Sequence, residues 1–308
     1  MNEPRYLMGI DGGGSKTAAL LADETGRVLG RGAAGASNFQ VAGHEAAQAA
    51  IVAAMAAAAA AAGMAPQPPL SALCIGLSGV DRPGERVSFQ QWAAALYPAA
   101  RVLIANDAEL VLAAGTPQGW GLALICGTGA IVYGRSLAGQ TARADGWGHL
   151  LGDEGSGYAI GLAALRAVMR AYDGRGPATA LSEAILARWS LATVPELVPR
   201  VYRELAGKQE IAALFPAVDA AAAAGDPEAQ RILVAAGHEL ALATQAVIHR
   251  LELPAPVPCA LAGGVVVGSQ LVRSEFLAAA EKLGLTLAPI TPVAEPALGA
   301  IALARLAL

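Results

Sequence analysis

The sequence is poor in aromatic residues, charged residues and cysteine. Aromatic residues make up 5% and charged residues 15% of the 308 positions, whereas 55% are hydrophobic, and much of that share is alanine. The net charge is −4 and no basic cluster occurs, which argues against a nucleic-acid partner. The cysteines are widely separated and form no CxxC pair, so we expect no disulfide framework. The four histidines share no ligand spacing, and we expect no structural metal ion.

Long hydrophobic segments are also lacking. The longest apolar run, 49–62, is mostly alanine and is too short and too weakly apolar for a membrane span. The first residues lack the basic flank and the apolar stretch of a signal peptide, because Asp11 interrupts the apolar pattern. We therefore predict a soluble cytoplasmic protein without a membrane partner.

What the sequence does contain is an alternation of strand-like and helix-like segments. Its length allows a sizeable core and two domains. Short apolar runs bounded by turn residues predict strands at 5–10, 17–22, 27–32, 73–77, 101–105, 122–125, 131–135 and 258–262. Helices are predicted at 44–62, 87–96, from 109, at 155–192 with a break at 173–177, at 196–251 with breaks at Pro216 and 225–227, and from 296. The alternation favours an α/β fold.

The stretch GIDGGGSKT predicts a phosphate-binding turn of a particular kind. A Walker loop needs its lysine directly after the last glycine and a helix after it, whereas here a serine intervenes and a hairpin pattern follows. The dinucleotide fingerprint G-x-G-x-x-G is absent as well. A tight glycine hairpin remains, in which the backbone N–H groups of Gly13 and Gly14 can approach phosphate oxygens.

The side chains around this hairpin would assist phosphate binding. Ser15 and Thr17 would add hydroxyl donors, and Lys16 would add a positive charge. Asp11 would hold a metal ion through water. An ordinary glycine-rich hairpin without a ligand is the alternative interpretation.

A second glycine turn strengthens the phosphate interpretation. The segment 122–135 repeats the order strand, glycine turn, strand, and its turn consists of Gly127, Thr128 and Gly129. Two such turns can clamp one polyphosphate between them. A further pair, Gly263 and Gly264, follows the strand predicted at 258–262.

Six segments, in this order, resemble a known group of proteins: IDGGGSKT, LSGVDRPGE, ANDAELV, CGTGA, GWGHLLGDEGSGYAIG and LAGGVV. They are similar to the sugar kinases of the actin/hexokinase/heat-shock-70 ATPase superfamily. The greatest similarity is to the N-acetylglucosamine kinase branch of the family that also holds the benzoyl-CoA reductase activase ATPases. The resemblance implies two ribonuclease H-like domains with ATP and sugar in the cleft between them. The domains would be 1–116, with helix 296–308 packing back on it, and 117–295.

The reaction that the resemblance implies moves the γ-phosphate of Mg-ATP to the 6-hydroxyl of an amino sugar. N-acetylglucosamine is expected first and glucosamine second, and the family suggests a homodimer. Two other classes stay open, a non-catalytic sugar or nucleotide sensor and an activase-type ATPase. The retained Asp107 argues against a sensor, and the absence of closely placed cysteines for an iron–sulfur cluster argues against an activase.

Asp107 is the candidate catalytic base. It follows an apolar strand, and catalytic groups of open α/β sheets gather at the carboxyl ends of strands. A carboxylate there can accept the proton of the attacking hydroxyl. The alternative is that Asp107 caps the helix that follows.

The resemblance also implies the remaining ligand contacts. The residues expected around the sugar are Asn38, Ser78, Gly79, Asp107, Gly146, Trp147 and Asp153. Gly263 and Gly264 would let the backbone approach adenine and ribose, and Ser269 would contact the base. Asp153 could instead be a helix cap, and Trp147 could belong to the core. Gly299 resembles a small residue at a hinge, so Gly299→Leu is expected to impair turnover far more than folding.

Overall fold

The computed structural model describes residues 5–14, 16–39, 43–80, 83–203 and 207–308. The chain divides into two compact units. Unit 1 contains the chain up to Gly119 and the segment Val293–Leu308, and unit 2 contains Trp120–Pro292. Each unit has a five-stranded mixed sheet of its own, and the predicted α/β class is confirmed.

The described part of the chain forms the following elements. The strands are β1 (Tyr6–Gly12), β2 (Thr17–Asp23), β3 (Val28–Ala34), β4 (Ala72–Leu77), β5 (Arg101–Asn106), β6 (Gly121–Cys126), β7 (Ala130–Arg135), β8 (Thr141–Asp145), β9 (Val257–Ala262) and β10 (Leu287–Pro292). The α-helices are α1 (His44–Ala61), α2 (Pro83–Leu96), α3 (Asp107–Gly115), α4 (Gly157–Tyr172), α5 (Leu181–Trp189), α6 (Leu197–Tyr202), α7 (Lys208–Ala212), α8 (Phe215–Ala223), α9 (Pro227–Leu251), α10 (Gly264–Gly268), α11 (Gln270–Lys282) and α12 (Ala297–Leu306).

The sheet of unit 1 has the order β3-β2-β1-β4-β5 and is covered on both faces. β1, β4 and β5 run parallel, and β2 is antiparallel to β1 and β3. Successive side chains of a strand point to opposite faces of the sheet. The buried side chains of β1 therefore lie on both faces of this sheet. Met8 belongs to the core shared with α1 and α2, whereas Leu7 belongs to the core shared with α3 and α12.

The alanine-rich helix α1 lies unusually close to the sheet. It packs against β2 and β3. A Cβ at Gly30 or Gly32 would overlap the carbonyl oxygens of Ala58 and Ala54. The alanines of α1 and the glycines of β3 are therefore matched, because neither side has bulk that would separate the backbones. By length and composition α1 and α9 could each cross a membrane, but each packs against its own sheet as a core helix does.

Helix α12 brings the end of the chain back to unit 1. It packs against β1, β4 and α3. A Cβ at Gly299 would overlap the carbonyl oxygen of Leu110 and would lie 3.0 Å from the backbone nitrogen of Ala114. Gly299 thus lies in a packed helix crossing, and a leucine there must disturb folding. This contradicts the expectation that Gly299→Leu would act mainly on turnover.

The sheet of unit 2 has the order β10-β9-β6-β7-β8. Its two edge strands, β8 and β10, were not predicted, and neither were α10 and α11. The helical region is interrupted just before the break predicted at Pro216, because α7 ends at Ala212 and α8 begins at Phe215 with Pro216 as its second residue. Proline is tolerated in the first turn of a helix, where its missing N–H would have no partner in the helix.

Candidate active site

The parallel strands of unit 1 end on one edge of the sheet. Gly12 pairs with Leu77, and Leu77 with Asn106, so the last residues of β1, β4 and β5 lie side by side. The Ser78 N–H donates to the Gly12 carbonyl over 3.2 Å, which joins the end of β4 to the glycine hairpin. Ligands of open α/β sheets bind at this edge. It carries three segments that the sequence singled out, which begin at Gly13, Ser78 and Asp107.

Two hydrogen bonds hold the hairpin between β1 and β2. One closes its turn, and the other fixes the first residue of β2 to the segment after β3. The Gly13 N–H donates to the Lys16 carbonyl over 3.0 Å and closes the turn. Thr17 is fully buried, and its hydroxyl donates to the Gly35 carbonyl over 2.7 Å. We therefore assign Thr17 a bracing role in place of the expected contact with phosphate. Ser15, which was also predicted to contact phosphate, lies outside the described residues.

The tip and the flank of the hairpin differ in exposure. Gly14 and Lys16 at the tip are exposed, as a phosphate-binding turn requires. On the flank, the buried Ser37 hydroxyl lies 2.5 Å from the position that a Cβ at Gly12 would occupy. This hydroxyl has no hydrogen-bond partner among the residues that the structure describes. The partly buried Asn38 next to it was predicted as a site residue, but Ser37 was not, because a single serine in a sequence gives no signal.

Asp107 begins α3, but it does not cap this helix. The cap is Asn106, whose side chain accepts the Glu109 N–H over 2.7 Å, while Glu109 accepts the Asn106 N–H over 3.3 Å. This reciprocal capping box satisfies the start of the helix. One oxygen of Asp107 accepts the N–H of the next residue, Ala108, over 2.9 Å. The alternative interpretation of Asp107 as the helix cap is therefore wrong.

Two carboxylates of unit 1 act on each other. The pKa of Asp11 is raised from 3.8 to about 6, mainly by burial and in addition by the negative charge of Asp107, while the positive charge of Lys16 opposes both effects. A divalent cation near Asp11 and Asp107 would relieve this repulsion, and Mg²⁺ prefers carboxylate and water oxygens. The residues present therefore fit the magnesium ion that the resemblance implies.

The glycine turn of unit 2 is bound to the start of α4. The Gly127 N–H donates to the Gly129 carbonyl over 2.9 Å, which closes the turn between β6 and β7. The first two N–H groups of α4, from Gly157 and Tyr158, donate to the carbonyls of Gly127 and Thr128 over 2.8 and 3.3 Å. The carbonyls of the turn therefore point to the helix, so its remaining N–H groups can serve a ligand.

The other glycine pair of unit 2 lies beside this turn. A Cβ at Gly127 would lie 3.8 Å from the Cα of Gly263 and 3.8 Å from the nitrogen of Gly264. Gly263 has a φ of 96° and would overlap the backbone of Cys126 if it carried a side chain. The structure thus brings together the two segments of unit 2 that were predicted to hold the nucleotide.

Ser269 has a different position from the one expected of a base contact. It is fully buried and caps α11, where its hydroxyl oxygen accepts the Val272 N–H over 3.2 Å. The same hydroxyl donates to the carboxylate of Asp219. We therefore assign Ser269 a structural role, because both hydrogen bonds tie it to its own unit.

Asp153 lies directly beneath the turn 127–129. It is 3% exposed, and both carboxylate oxygens lie 3.0 Å from the position of a Cβ at Gly129. It accepts a 2.6 Å hydrogen bond from the Lys208 ammonium and a 3.3 Å hydrogen bond from the Ala130 N–H. Ser156 caps α4, so Asp153 is not the helix cap. Lys208 was not predicted as part of the site, because it is 55 residues away from Asp153 in the chain.

Asp145 fixes the loop that carries Gly146 and Trp147. Its Oδ1 accepts the Gly146 N–H over 2.8 Å and the Asp153 N–H over 2.6 Å, which closes the segment 146–152. Trp147 is 63% exposed, so it does not belong to the core, and the Arg143 guanidinium lies 4.8 Å from its ring centroid. The loop therefore presents an aromatic face from a fixed base. The sequence analysis missed the role of Asp145.

The charge of Asp145 predicts a pH-dependent difference in stability. The net pKa of Asp145 is raised from 3.8 to about 6: burial is the largest cause, the hydrogen bond from the Asp153 N–H opposes it, and the charge of Glu154 adds to it. A raised pKa means that stability is lost as the pH rises through this window. Asp145→Asn should therefore gain stability relative to the wild type between pH ~4 and ~6, by about 1–2 kcal/mol after solvent screening.

Urea unfolding of both proteins across this pH range would measure the difference. Asp23→Asn is the matched control, because hydrogen bonds from Thr25 lower the pKa of Asp23 in the folded protein. Its difference from the wild type should stay nearly constant over the same range. A constant difference for Asp145→Asn as well would contradict the raised pKa.

Together the two units define a class of α/β protein with glycine-rich phosphate turns and acidic residues at the strand ends. The model of the BadF/BadG/BcrA/BcrD ATPase family matches residues 8–304, and the chain belongs to this family. The resemblance to this family in the sequence motifs is thereby confirmed.

Relatives of known name cover most of the chain. The chain is 35% identical over 273 residues to the N-acetylmuramic acid/N-acetylglucosamine kinase of Clostridium acetobutylicum, an alignment that covers 88% of this chain and 89% of the relative. It is also 35% identical over 257 residues to the N-acetyl-D-glucosamine kinase of Dictyostelium discoideum, with 80% of each chain covered.

Solved structures share the fold. A crystal structure of a candidate N-acetylglucosamine kinase from Chromobacterium violaceum has 29% identity and a TM-score of 0.75, and the match covers 96% of this chain and 98% of that one. The ROK hexokinase of Thermus thermophilus, at 19% identity and a TM-score of 0.61, shows the fold alone. These neighbours support the actin-like class expected for the two units.

Proposed function

We propose that this protein transfers the γ-phosphate of ATP to the 6-hydroxyl of an amino sugar, N-acetylglucosamine first and glucosamine second. The coarser part, an ATP-dependent sugar kinase, is supported by the family and by the two relatives that are named as kinases of N-acetylated amino sugars. The 6-hydroxyl and the order of the sugars rest on the resemblance, and one observation supports transfer to a hydroxyl group. Unit 1 joins a glycine hairpin to a carboxylate, Asp107, that its helix does not need as a cap.

The reaction needs positioning, charge neutralisation and a base. As the sugar oxygen attacks the γ-phosphorus, Asp107 would accept the hydroxyl proton, and the bond to the bridging oxygen would break to release ADP. The proton would then pass from Asp107 to water. A magnesium ion, held by Asp11 through water, would neutralise part of the phosphate charge.

Backbone groups of both units would hold the nucleotide. Gly13, Gly14 and Lys16 of unit 1 and the turn 127–129 of unit 2 would contact the phosphates. Gly263 and Gly264 would contact the nucleoside, because a backbone without side chains allows close approach. Thr17 would support the hairpin of unit 1 through its buried hydrogen bond, and Ser269 would hold the start of α11.

The residues proposed to bind the sugar are those that the resemblance implies, at the positions described above. Asn38, Ser78, Gly79 and Asp107 would bind hydroxyl groups from unit 1. Gly146, Trp147 and Asp153 would do so from unit 2. A carboxylate can accept several hydrogen bonds, so Asp153 can bind Lys208 and a sugar hydroxyl together.

Release of ADP with different sugars tests the proposal. We expect rapid release with N-acetylglucosamine, slower release with glucosamine, and little with glucose or without sugar. N-acetylmuramic acid belongs in the series, because the relative from Clostridium acetobutylicum is named for it. The analogue 6-deoxy-N-acetylglucosamine is the matched control, since it keeps the ring and lacks the accepting hydroxyl.

Three results would contradict the proposal. ATP hydrolysis that does not depend on sugar would favour an activase-type ATPase. Sugar and nucleotide binding without turnover of any sugar would favour a sensor. Turnover of the 6-deoxy analogue would disprove transfer to the 6-hydroxyl.

A further inference from the structure

A cavity of about 550 Å³ lies on unit 2, away from its glycine turns. It is formed by the later part of α4, the segment that follows α4 and the first turn of α9. Four of its lining residues are arginines and one is an acid: Arg166, Arg170, Arg175, Arg231 and Glu228. The chain as a whole carries a net charge of −4, so this concentration of positive charge is local.

Among the residues that the structure describes, only two of these four arginines form an ion pair with a nearby carboxylate. Arg231 binds Glu228 through two hydrogen bonds of 3.0 and 2.6 Å, and this pairing lowers the pKa of Glu228. Arg175 donates two hydrogen bonds to one oxygen of Asp173, with an Nε–Oδ2 distance of 2.9 Å. These two carboxylates neutralise two guanidinium groups. Arg166 and Arg170 remain outside these two ion pairs, although the charge of Arg170 also lowers the pKa of Glu228.

The two remaining arginines are four residues apart on α4. Residues at this spacing lie on one helix face, where like charges repel. Arg170 lies in the last turn of α4, where a positive charge is favourable to the helix dipole, and it donates to the Arg175 carbonyl over 3.1 Å. Arg166 is too far from the helix end for this effect. It is exposed, and its guanidinium group forms no ion pair within the part of the chain that the structure describes.

We propose that this cavity binds the phosphate group of a phosphorylated small molecule through Arg166 and Arg170. Planar guanidinium groups suit phosphate because each can donate two parallel hydrogen bonds. The volume lies within the range of small-molecule sites, ~300–1,000 Å³. The site is distinct from the nucleotide turn, since Arg166 lies nine residues after Gly157, about 14 Å along α4. It does not depend on the proposed phosphoryl transfer.

Calorimetric titration of the full-length protein with inorganic phosphate and with glucose 6-phosphate tests this site. We expect saturable binding that Arg166→Glu weakens at least about tenfold, because charge-assisted hydrogen bonds are lost. Arg250→Glu is the matched control: this arginine is exposed near the other end of α9, about 28 Å along the helix from Arg231. It should leave both affinities unchanged.

A comparison of the wild type with the two variants identifies binding in the cavity even if these anions also bind to the glycine turns. Binding lost in Arg166→Glu and kept in Arg250→Glu supports the site, and tighter binding of glucose 6-phosphate than of phosphate assigns it to organic phosphates. Equal affinity of the wild type and Arg166→Glu, or no saturable binding to the wild type, overturns it. If Arg166→Glu unfolds by circular dichroism, the double variant Arg166→Gln/Arg170→Gln replaces it, with the same criterion.

Discussion

Asp107→Asn is expected to lower kcat for phosphoryl transfer by a factor of about 10²–10⁴, with sugar binding nearly unchanged. Asparagine has the shape of aspartate and can still bind a hydroxyl group, but it cannot accept the proton. The fold should tolerate the change, because Asn106 and Glu109 cap α3 without help from Asp107. Steady-state release of ADP gives kcat, and calorimetry with N-acetylglucosamine in the presence of ADP gives the affinity.

The variant Asp107→Asn should also change the pKa of a neighbouring carboxylate in unit 1. The charge of Asp107 contributes to the raised pKa of Asp11, so its removal should move the pKa of Asp11 back toward 3.8. Asp23→Asn is the control in the same unit: Asp23 is the last residue of β2 and accepts a hydrogen bond from the Thr25 hydroxyl, so the kcat of this variant should equal that of the wild type. If Asp107→Asn retained kcat within about threefold, Asp107 would not be the base.

The elements that the sequence predicted best are those with continuous apolar runs. β1, β4 and β9 are buried along most of their length, and each was predicted to within two residues at either end. The missed strands are the two edges of unit 2. β8 has the sequence TARAD with a single fully buried position, and β10 contains two prolines. Neither shows the apolar pattern of a strand, because an edge strand needs fewer buried side chains.

The candidate site shows the same division between local and long-range information. The glycine turns could be predicted because their chemistry lies within a few consecutive residues. Lys208 and Asp145 could not, since each acquires its role through Asp153, which only the fold brings near. The hydroxyls of Thr17 and Ser269 were visible as donors, but the sequence does not show the direction in which a side chain points. Both turn inward.

Gly299→Leu is expected to destabilise unit 1 by at least about 3 kcal/mol. Gly299 faces the backbone of α3, and a Cβ there would lie 2.7 Å from the carbonyl carbon of Leu110. Backbone atoms cannot move aside as the end of a flexible side chain can. Helix α12 would have to shift away from α3 and from β1, where the Cβ of a residue at Gly9 would already meet Ile301 at 2.7 Å. Urea unfolding of the wild type and the variant measures the loss.

The variant Gly299→Ala separates the effect of the close contact with α3 from the effect of helix propensity. Replacing glycine by alanine within a helix normally stabilises it by about 1 kcal/mol, so a loss of stability in Gly299→Ala would show that the close contact outweighs this gain. Gly84→Ala is the matched control in α2 of the same unit, since a Cβ at Gly84 meets nothing within 4 Å. It should be neutral or slightly stabilising. If Gly299→Leu unfolded at the same urea concentration as the wild type but turned over slowly, Gly299 would act as a hinge, and the packed crossing of α3 and α12 would not limit stability.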